Sequence, residues 1–222
     1  MLKRALCLLI FALSVAVLTT GLSGGENAKA KVKEKKDDPK YNTDTFVPTA
    51  DEVIAKMFEM AKVTKNDFLF DLGCGDNRIC YMAAKKFGCR GVGIETNPVR
   101  IREAMDMFDK YNKDGALVYS PVKLPLVETR HGDALEAKDL GDATVVVMYM
   151  FPAFMELWFP YAEKHLKPGT RIVSHDYTWD RKEHPHMWKE TSMALVNSST
   201  RESHKVYLWI VPEKKKSIPN QE

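Results

Sequence analysis

A carboxylate and two glycines, Asp71, Gly73 and Gly75, form the clearest chemical pattern in this chain. The apolar run 68–70 leads into Asp71, and a helical pattern opens at Arg78. Glycine lets the backbone approach a ligand closely or adopt a positive φ. A helix that begins after such a turn directs free N–H groups at the ligand. The pattern therefore predicts a cradle for a polar ligand, with the backbone of Cys74 touching it.

The residue types around the turn separate two classes of cofactor. Dinucleotide-binding enzymes use Gly-x-Gly-x-x-Gly, in which the third glycine lets helix and strand pack closely. Here Arg78 stands at the third position. An acid before the turn, Asp71, disfavours a pyrophosphate and suits the positively charged amino group of S-adenosylmethionine (SAM).

Two further acids follow short apolar segments downstream of the turn. Glu95 ends the segment 90–95, about 20 residues past the turn, where an acid can bind ribose hydroxyls. Asp133 follows the segment 127–131 and is placed to bind the adenine amino group, with capping of a helix as the alternative. The predicted cofactor site thus contains three acids.

The three acids can meet around one ligand only if the strands that precede them end at the same edge of a sheet. Apolar periodicity predicts strands 67–71, 91–95, 127–131, 144–149 and 170–175, helices 77–87, 98–111 and 153–165, and a hairpin of 192–196 with 205–211. This order predicts an α/β fold, a Rossmann-like seven-stranded, mostly parallel sheet with helices on both faces. Ligands lie beyond the carboxyl ends of such strands, where Asp71, Glu95, Asp133, Tyr149 and His175 should meet.

A first helix is predicted just after Thr49, whose hydroxyl can cap its N-terminus. Apolar residues follow at helical spacing, and two acids, Asp51 and Glu52, occupy the first turn, where the helix dipole favours them. Phe46 and Thr49 could also simply staple this helix.

The order Asp71-Leu-Gly-Cys-Gly, Gly93-Ile-Glu95 and Gly132-Asp133 resembles class I SAM-dependent methyltransferases. With Phe46-Val-Pro-Thr49, the segment 143–152 and the segment 166–175, the chain is similar to the small lysine methyltransferases of the ATP synthase c subunit and the adenine nucleotide translocase, and to their bacterial relatives. The resemblance covers Tyr41 to Asp176. The resemblance implies that Phe46 and Thr49 border the methionine end of SAM. It also implies that the other cofactor-binding residues are Asp71, Gly73, Cys74, Gly75, Glu95 and Asp133.

The chain departs from the family pattern in three places. Asn77 stands where the family usually has glycine, and asparagine tolerates the left-handed conformation. The segment 114–127 is longer than the usual link, and the stretch after His175 matches loosely.

Methyl transfer to an amine needs alignment and desolvation more than strong acid–base groups. Tyr149, Phe151 and Pro152, at the exit of the fourth predicted strand, are therefore predicted to line an aromatic channel for the acceptor. His175 could deprotonate a substrate, although a core histidine is the favoured interpretation. No metal site is expected: His184 and His186 have no cysteine or acid partner at ligand spacing, and the cysteines lack such spacing too.

The length of 222 residues predicts one domain with extensions. Residues 1–25 have a basic start and an apolar run, and are predicted to be a signal peptide or a membrane anchor. Residues 26–42 read as a polar linker, 43–212 as the methyltransferase domain and 213–222 as a disordered tail. The protein would be held at a membrane by the anchor, on either side of it, or it would be exported if the leader is cleaved.

Three functions are compatible with these features. The first is methylation of protein lysine, on a membrane protein if the leader is an anchor. The second is methylation of a small or lipid-like acceptor, and the third is an exported SAM-fold protein without catalysis. The net charge of +3 is spread along the chain, which argues against a nucleic-acid partner.

Overall fold

The polypeptide alternates short buried strands with amphipathic helices along most of its length. The computed structural model describes residues 46–113, 118–119, 124–180 and 188–213. Its helices are α1 Asp51–Ala61, α2 Arg78–Phe87, α3 Pro98–Tyr111 and α4 Pro152–His165. Its strands are β1 Phe68–Leu72, β2 Arg90–Glu95, β3 Val118–Tyr119, β4 Leu124–Pro125, β5 Val127–His131, β6 Val145–Met148, β7 Arg171–His175, β8 Glu190–Val196 and β9 Ser203–Ile210.

Seven of these strands form one sheet in the order β5-β2-β1-β6-β7-β9-β8. The first five in that order run parallel, and β9 and β8 join antiparallel. This confirms the predicted α/β architecture and the closing hairpin. The hairpin strands are longer and begin earlier than the predicted 192–196 and 205–211, because cross-strand pairing extends to Glu190 and Ser203.

Alternation along the central strands produces two apolar cores, one on each face of the sheet. Phe70, Leu72 and Met148 face a core that contains Trp158 of α4. Leu69, Val145 and Val147 face a second core that is covered by α1 and α2. Three of the four tryptophans, Trp158, Trp179 and Trp209, are almost fully buried and Trp188 nearly so, which agrees with a packing role.

Helix α1 begins differently from the prediction. Its N-cap is Ala50, and no side chain caps it. The expectation that Thr49 caps this helix is wrong, because the Thr49 hydroxyl lies 3.2 Å from Nδ1 of His175 instead. The acids Asp51 and Glu52 do occupy the first turn.

Other boundaries shift by a residue or two. The predicted strand 67–71 lies at Phe68–Leu72, helix 77–87 begins at Arg78, and strand 144–149 is shortened to Val145–Met148. The long link 114–127 contains the two-residue strands β3 and β4, which pair with each other. The leader, the linker 26–42, His184 and His186 lie outside the described residues. Within the described ranges, no helix is long and apolar enough to cross a membrane.

Candidate active site

The glycine turn between β1 and α2 is held against the end of β2. Gly73 and Gly75 have φ values of +72° and +55°, in the left-handed region that favours glycine. The amides of Gly73 and Cys74 donate to the carbonyl of Ile94 at 2.9 and 3.1 Å. The turn is therefore fixed to the neighbouring strand before any ligand binds.

Both glycines are also required by side chains that close on the turn. A Cβ at Gly75 would overlap the edge of the Phe46 ring, and a Cβ at Gly73 would overlap the sulfur of Met150. The Phe46 ring is covered in turn by the Arg100 guanidinium, 4.4 Å from the ring centroid. Phe46 thus packs on the predicted cradle, and its contact with the cofactor stays a prediction.

Asn77 adopts the left-handed conformation that its position demands, with φ +58°. Its amide nitrogen donates to Thr129 Oγ1 at 2.7 Å and to the Glu128 carbonyl at 3.3 Å. A glycine could make neither hydrogen bond. Asparagine therefore occupies the left-handed position and ties the turn to β5.

Asp71 is the least satisfied acid of the site. It is 2% exposed, and Oδ2 has no hydrogen-bond partner among the described residues. Burial, with the nearby charges of Glu95 and Asp76, raises the pKa of this carboxyl well above its usual range. The Asp76 carboxylate is already neutralised by Arg78, at 2.6 Å. A buried acid without a counter-charge is suited to a cationic ligand group. The amino group of SAM is such a group.

Glu95 joins the turn to the next loop. Its Oε2 accepts from the Gly75 amide at 2.9 Å and its Oε1 accepts from the Asn97 amide at 2.8 Å. Oε1 also accepts from the Thr96 hydroxyl at 3.4 Å. The second lone pair of Oε2 leaves an acceptor for a ribose hydroxyl. The residues therefore fit SAM: Asp71 would hold its amino group and Glu95 its ribose.

Asp133 lies at the end of β5, as predicted, and one of its oxygens has a structural role. Oδ1 accepts from the Leu135 amide at 2.9 Å and caps the short helix Ala134–Glu136. The capping alternative is thus realised for one oxygen, while the contact of Asp133 with adenine stays a prediction.

Aromatic side chains gather at the carboxyl ends of β6 and β7. The Tyr149 ring centroid lies 3.9 Å from that of His175 and 5.9 Å from that of Tyr177. Phe151 lies 5.5 Å from Tyr177 and is 46% exposed, and Pro152 begins α4 directly after it. Tyr149 and Phe151 thus lie together at these strand ends with Tyr177 between them, and the role of this aromatic wall as a channel for the acceptor stays a prediction.

His175 is nearly inaccessible at the base of this wall. Burial, assisted by His204 and opposed by Asp176, lowers the pKa of His175 to about 4. Nδ1 faces Thr49, and Nε2 lies 3.0 Å from Nδ1 of His204. Both ring nitrogens face protein atoms, which argues against a base that meets substrate.

Sequence reasoning missed Met150, Arg100, Tyr177 and His204. Tyr177 and Met150 had a usable signal, since each lies within two residues of a predicted strand end. Arg100 and His204 had none, because their relevance depends on contacts with residues far away in the chain.

Comparison with known proteins identifies the family. Residues 71–185 match the ANTKMT methyltransferase domain. The chain is 38% identical over 174 residues to a protein-lysine N-methyltransferase of Saccharolobus islandicus (strain REY15A), covering 77% of this chain and 95% of that protein. It is 35% identical to an RNA methyltransferase from Salinibacter ruber, crystallised with S-adenosyl-L-homocysteine, with a TM-score of 0.61 and coverage of 79% of this chain and 98% of that chain.

A more distant structure shares the fold alone. The precorrin-6y C5,15-methyltransferase from Geobacter metallireducens GS-15 is 18% identical, with a TM-score of 0.59 and coverage of 80% of this chain and 96% of that chain. The glycine turn, the buried acid and the two long alignments agree with one another. The chain therefore belongs to the family of the ANTKMT methyltransferase domain and is an S-adenosylmethionine-dependent methyltransferase.

Proposed function

We propose that this chain transfers methyl groups from SAM to lysine side chains of a protein. The observation that carries the proposal is the aromatic wall of Tyr149, Phe151 and Tyr177 at the strand ends where the cofactor is predicted to bind. The 38% identical relative that is named a protein-lysine N-methyltransferase supports the same acceptor.

The chemistry asks little acid–base work of the protein. When bound, SAM supplies a methyl group on a sulfonium, which is already a good leaving group. The aromatic wall orients the amine and excludes water from it. A lysine must be neutral to attack, and an apolar surface lowers the pKa of an ammonium. Tyr149 and Phe151 therefore act by positioning and desolvation.

RNA is the second candidate acceptor. The 35% identical relative from Salinibacter ruber is called an RNA methyltransferase. In this chain the charge of +3 is spread along the sequence, whereas RNA-binding proteins usually concentrate basic residues on one face. That distribution favours protein over RNA.

Transfer of radioactive methyl groups separates the acceptors. The full-length chain is incubated with labelled SAM and fractions of a cell lysate. Label that is released by protease and migrates with protein supports the proposal, and amino-acid analysis should then recover methyl-lysine. Label removed by ribonuclease identifies RNA, and label extracted with solvent identifies a small or lipid-like acceptor. Cofactor binding without transfer to any fraction would favour a non-catalytic protein.

Substitution of Tyr149 tests the wall. Tyr149→Phe should keep transfer nearly intact, because the ring remains. Tyr149→Ala should lower kcat/KM for the acceptor about tenfold, because it removes an aromatic contact of roughly 1.5 kcal/mol, which corresponds to that factor. SAM affinity should stay within about twofold in both variants. Equal activity of the alanine and phenylalanine variants would remove Tyr149 from the acceptor site.

The membrane assignment of residues 1–25 is part of the same proposal. An anchor with the domain on the cytosolic side would keep the enzyme near its cofactor and near membrane-protein acceptors. The five lysines at 29, 31, 33, 35 and 36 support that orientation, because positive flanks tend to stay in the cytoplasm. Protease applied to intact cells should leave the domain uncut, and its removal would refute this orientation.

A further inference from the structure

Three side chains meet where β7 and β9 run side by side, behind the aromatic wall. We propose that His175, Asp176 and His204 bind a divalent transition-metal ion of the Zn²⁺ class. Two imidazoles and a carboxylate are ligands that such ions accept. None of the three ligands is a predicted cofactor residue, although Thr49, which is one, contacts His175. The proposal does not depend on which acceptor is methylated.

The ligand atoms form a nearly equilateral triangle. His175 Nε2 lies 3.0 Å from His204 Nδ1, His204 Nδ1 lies 3.0 Å from Asp176 Oδ2, and Asp176 Oδ2 lies 3.3 Å from His175 Nε2. Zinc bonds of about 2.0 Å in a tetrahedron place neighbouring ligand atoms roughly 3.3 Å apart. The triangle already has the size of one face of that tetrahedron.

Whichever ring nitrogen carries hydrogen, one unfavourable contact remains in this triangle while the carboxylate is ionised. If only His175 Nε2 carries hydrogen, the bare His204 nitrogen faces the Asp176 oxygen at 3.0 Å. If only His204 Nδ1 carries it, the bare His175 nitrogen faces the same oxygen at 3.3 Å. If both carry it, two N–H groups face each other at 3.0 Å. A central cation satisfies all three atoms at once.

Neighbouring groups orient two of the three ligands. The second ring nitrogen of His175 faces the Thr49 hydroxyl at 3.2 Å, and the Lys205 amide donates to the other Asp176 oxygen, Oδ1, at 2.7 Å. Metal-binding histidines and carboxylates are usually held in this way. Asp176 is also kept at φ +59°, a left-handed conformation that directs its carboxylate back towards β9.

The site has an entry path and a free coordination position. The side chain of His175 is 2% exposed, whereas those of His204 and Asp176 are 15% and 28% exposed. Three protein ligands leave a fourth position for water, as in open zinc sites. Because the Tyr149 ring packs on His175, a bound ion would fix the base of the acceptor wall.

Cobalt titration tests the proposal. The full-length chain is purified without a histidine tag, stripped with EDTA and titrated with Co²⁺, whose visible absorption reports tetrahedral nitrogen and oxygen ligands. One equivalent should produce the bands, and Zn²⁺ should abolish them. Zn²⁺ should also raise the melting temperature of the chain, and EDTA should reverse the rise.

Variants assign the ion to these residues. His204→Ala and Asp176→Asn should weaken binding more than about 100-fold, whereas Thr49→Val should weaken it about 10–100-fold as an orienting partner. Asparagine tolerates the left-handed conformation, so Asp176→Asn should preserve the turn. His165→Ala on α4 is the matched control, and it should bind like the parent chain. Absence of binding by the parent chain, or equal binding by the His204 and His165 variants, would overturn the proposal.

Discussion

Replacing Asp71 by asparagine should weaken SAM binding and stabilise the unliganded chain at the same time. The side chain keeps its shape but loses its charge. The charge is what a cationic ligand group needs, and it is also what the unliganded protein cannot neutralise. Function and stability should therefore move in opposite directions.

The structure sets the size of both effects. Oδ2 of Asp71 is buried without a partner among the described residues, beside the charges of Glu95 and Asp76. A neutral amide there should recover about 1–2 kcal/mol of the cost of an unsatisfied buried group. A hydrogen bond to a charged group contributes about 1.5–3 kcal/mol, so the Kd for SAM should rise roughly 10- to 150-fold.

The pH dependence has a definite sign. Because the folded pKa of Asp71 is raised, protonation favours the folded chain. This contribution to the free energy of unfolding is complete below the unfolded pKa and is lost as the pH rises through the folded pKa. The loss should begin in the usual titration range of an aspartic acid and extend above it to the raised folded pKa, and it should be absent in Asp71→Asn.

Denaturant unfolding of the full chain without SAM, together with calorimetric titration of SAM, measures both effects. Asp76→Asn is the matched control for stability, because Asp76 pairs with Arg78 through hydrogen bonds of 2.6 to 3.2 Å. That variant should lower the free energy of unfolding. If Asp71→Asn is also destabilised, or binds SAM as tightly as the parent chain, the buried charge does not have the role described above.

Three other substitutions have clear expected results. Gly75→Ala should lower both SAM affinity and stability, because its Cβ would displace the Phe46 ring. Gly132→Ala is the control: its Cβ would meet no atom within 4 Å, so the variant should be neutral in the same calorimetric and unfolding assays. Asn77→Ala should be less stable than Asn77→Gly by about 1–2 kcal/mol in urea, the cost of a Cβ in the left-handed conformation, and equal stability would contradict the observed φ. Arg171→Ala should lower the free energy of unfolding in urea by about 3 kcal/mol, because it leaves the buried Asp67 carboxylate without its cation. Lys167→Ala, which breaks the exposed pair with Asp142, is the control and should change little.

Local patterns explain why most of the fold could be predicted. The glycine turn, the run of apolar residues before Asp71 and the proline that starts α3 each depend on near neighbours in sequence. Such signals gave the order of the elements and the edge at which Asp71, Glu95 and Asp133 lie. Boundaries moved by a residue or two because pairing partners, rather than propensity, decide where a strand ends.

Contacts across the chain explain what could not be predicted. Thr49 has a side chain suited to capping, but its hydroxyl bonds a histidine 126 positions away. His204 is 29 residues from His175, and the register of β9 brings them together. No signal in the neighbouring sequence indicates such pairs. A residue whose type predicts one role, such as helix capping, can therefore have another in the folded protein.

The strand order has a consequence for how the enzyme is made. β1 carries Asp71 and pairs with β2 soon after it, but its other neighbour, β6, is synthesised about 75 residues later. Closing so large a loop costs entropy before its contacts form. A nascent chain therefore exposes one edge of the strand that holds the site until β6 leaves the ribosome. Competence to bind SAM should then arise late in translation, once β6 and β7 have joined the sheet.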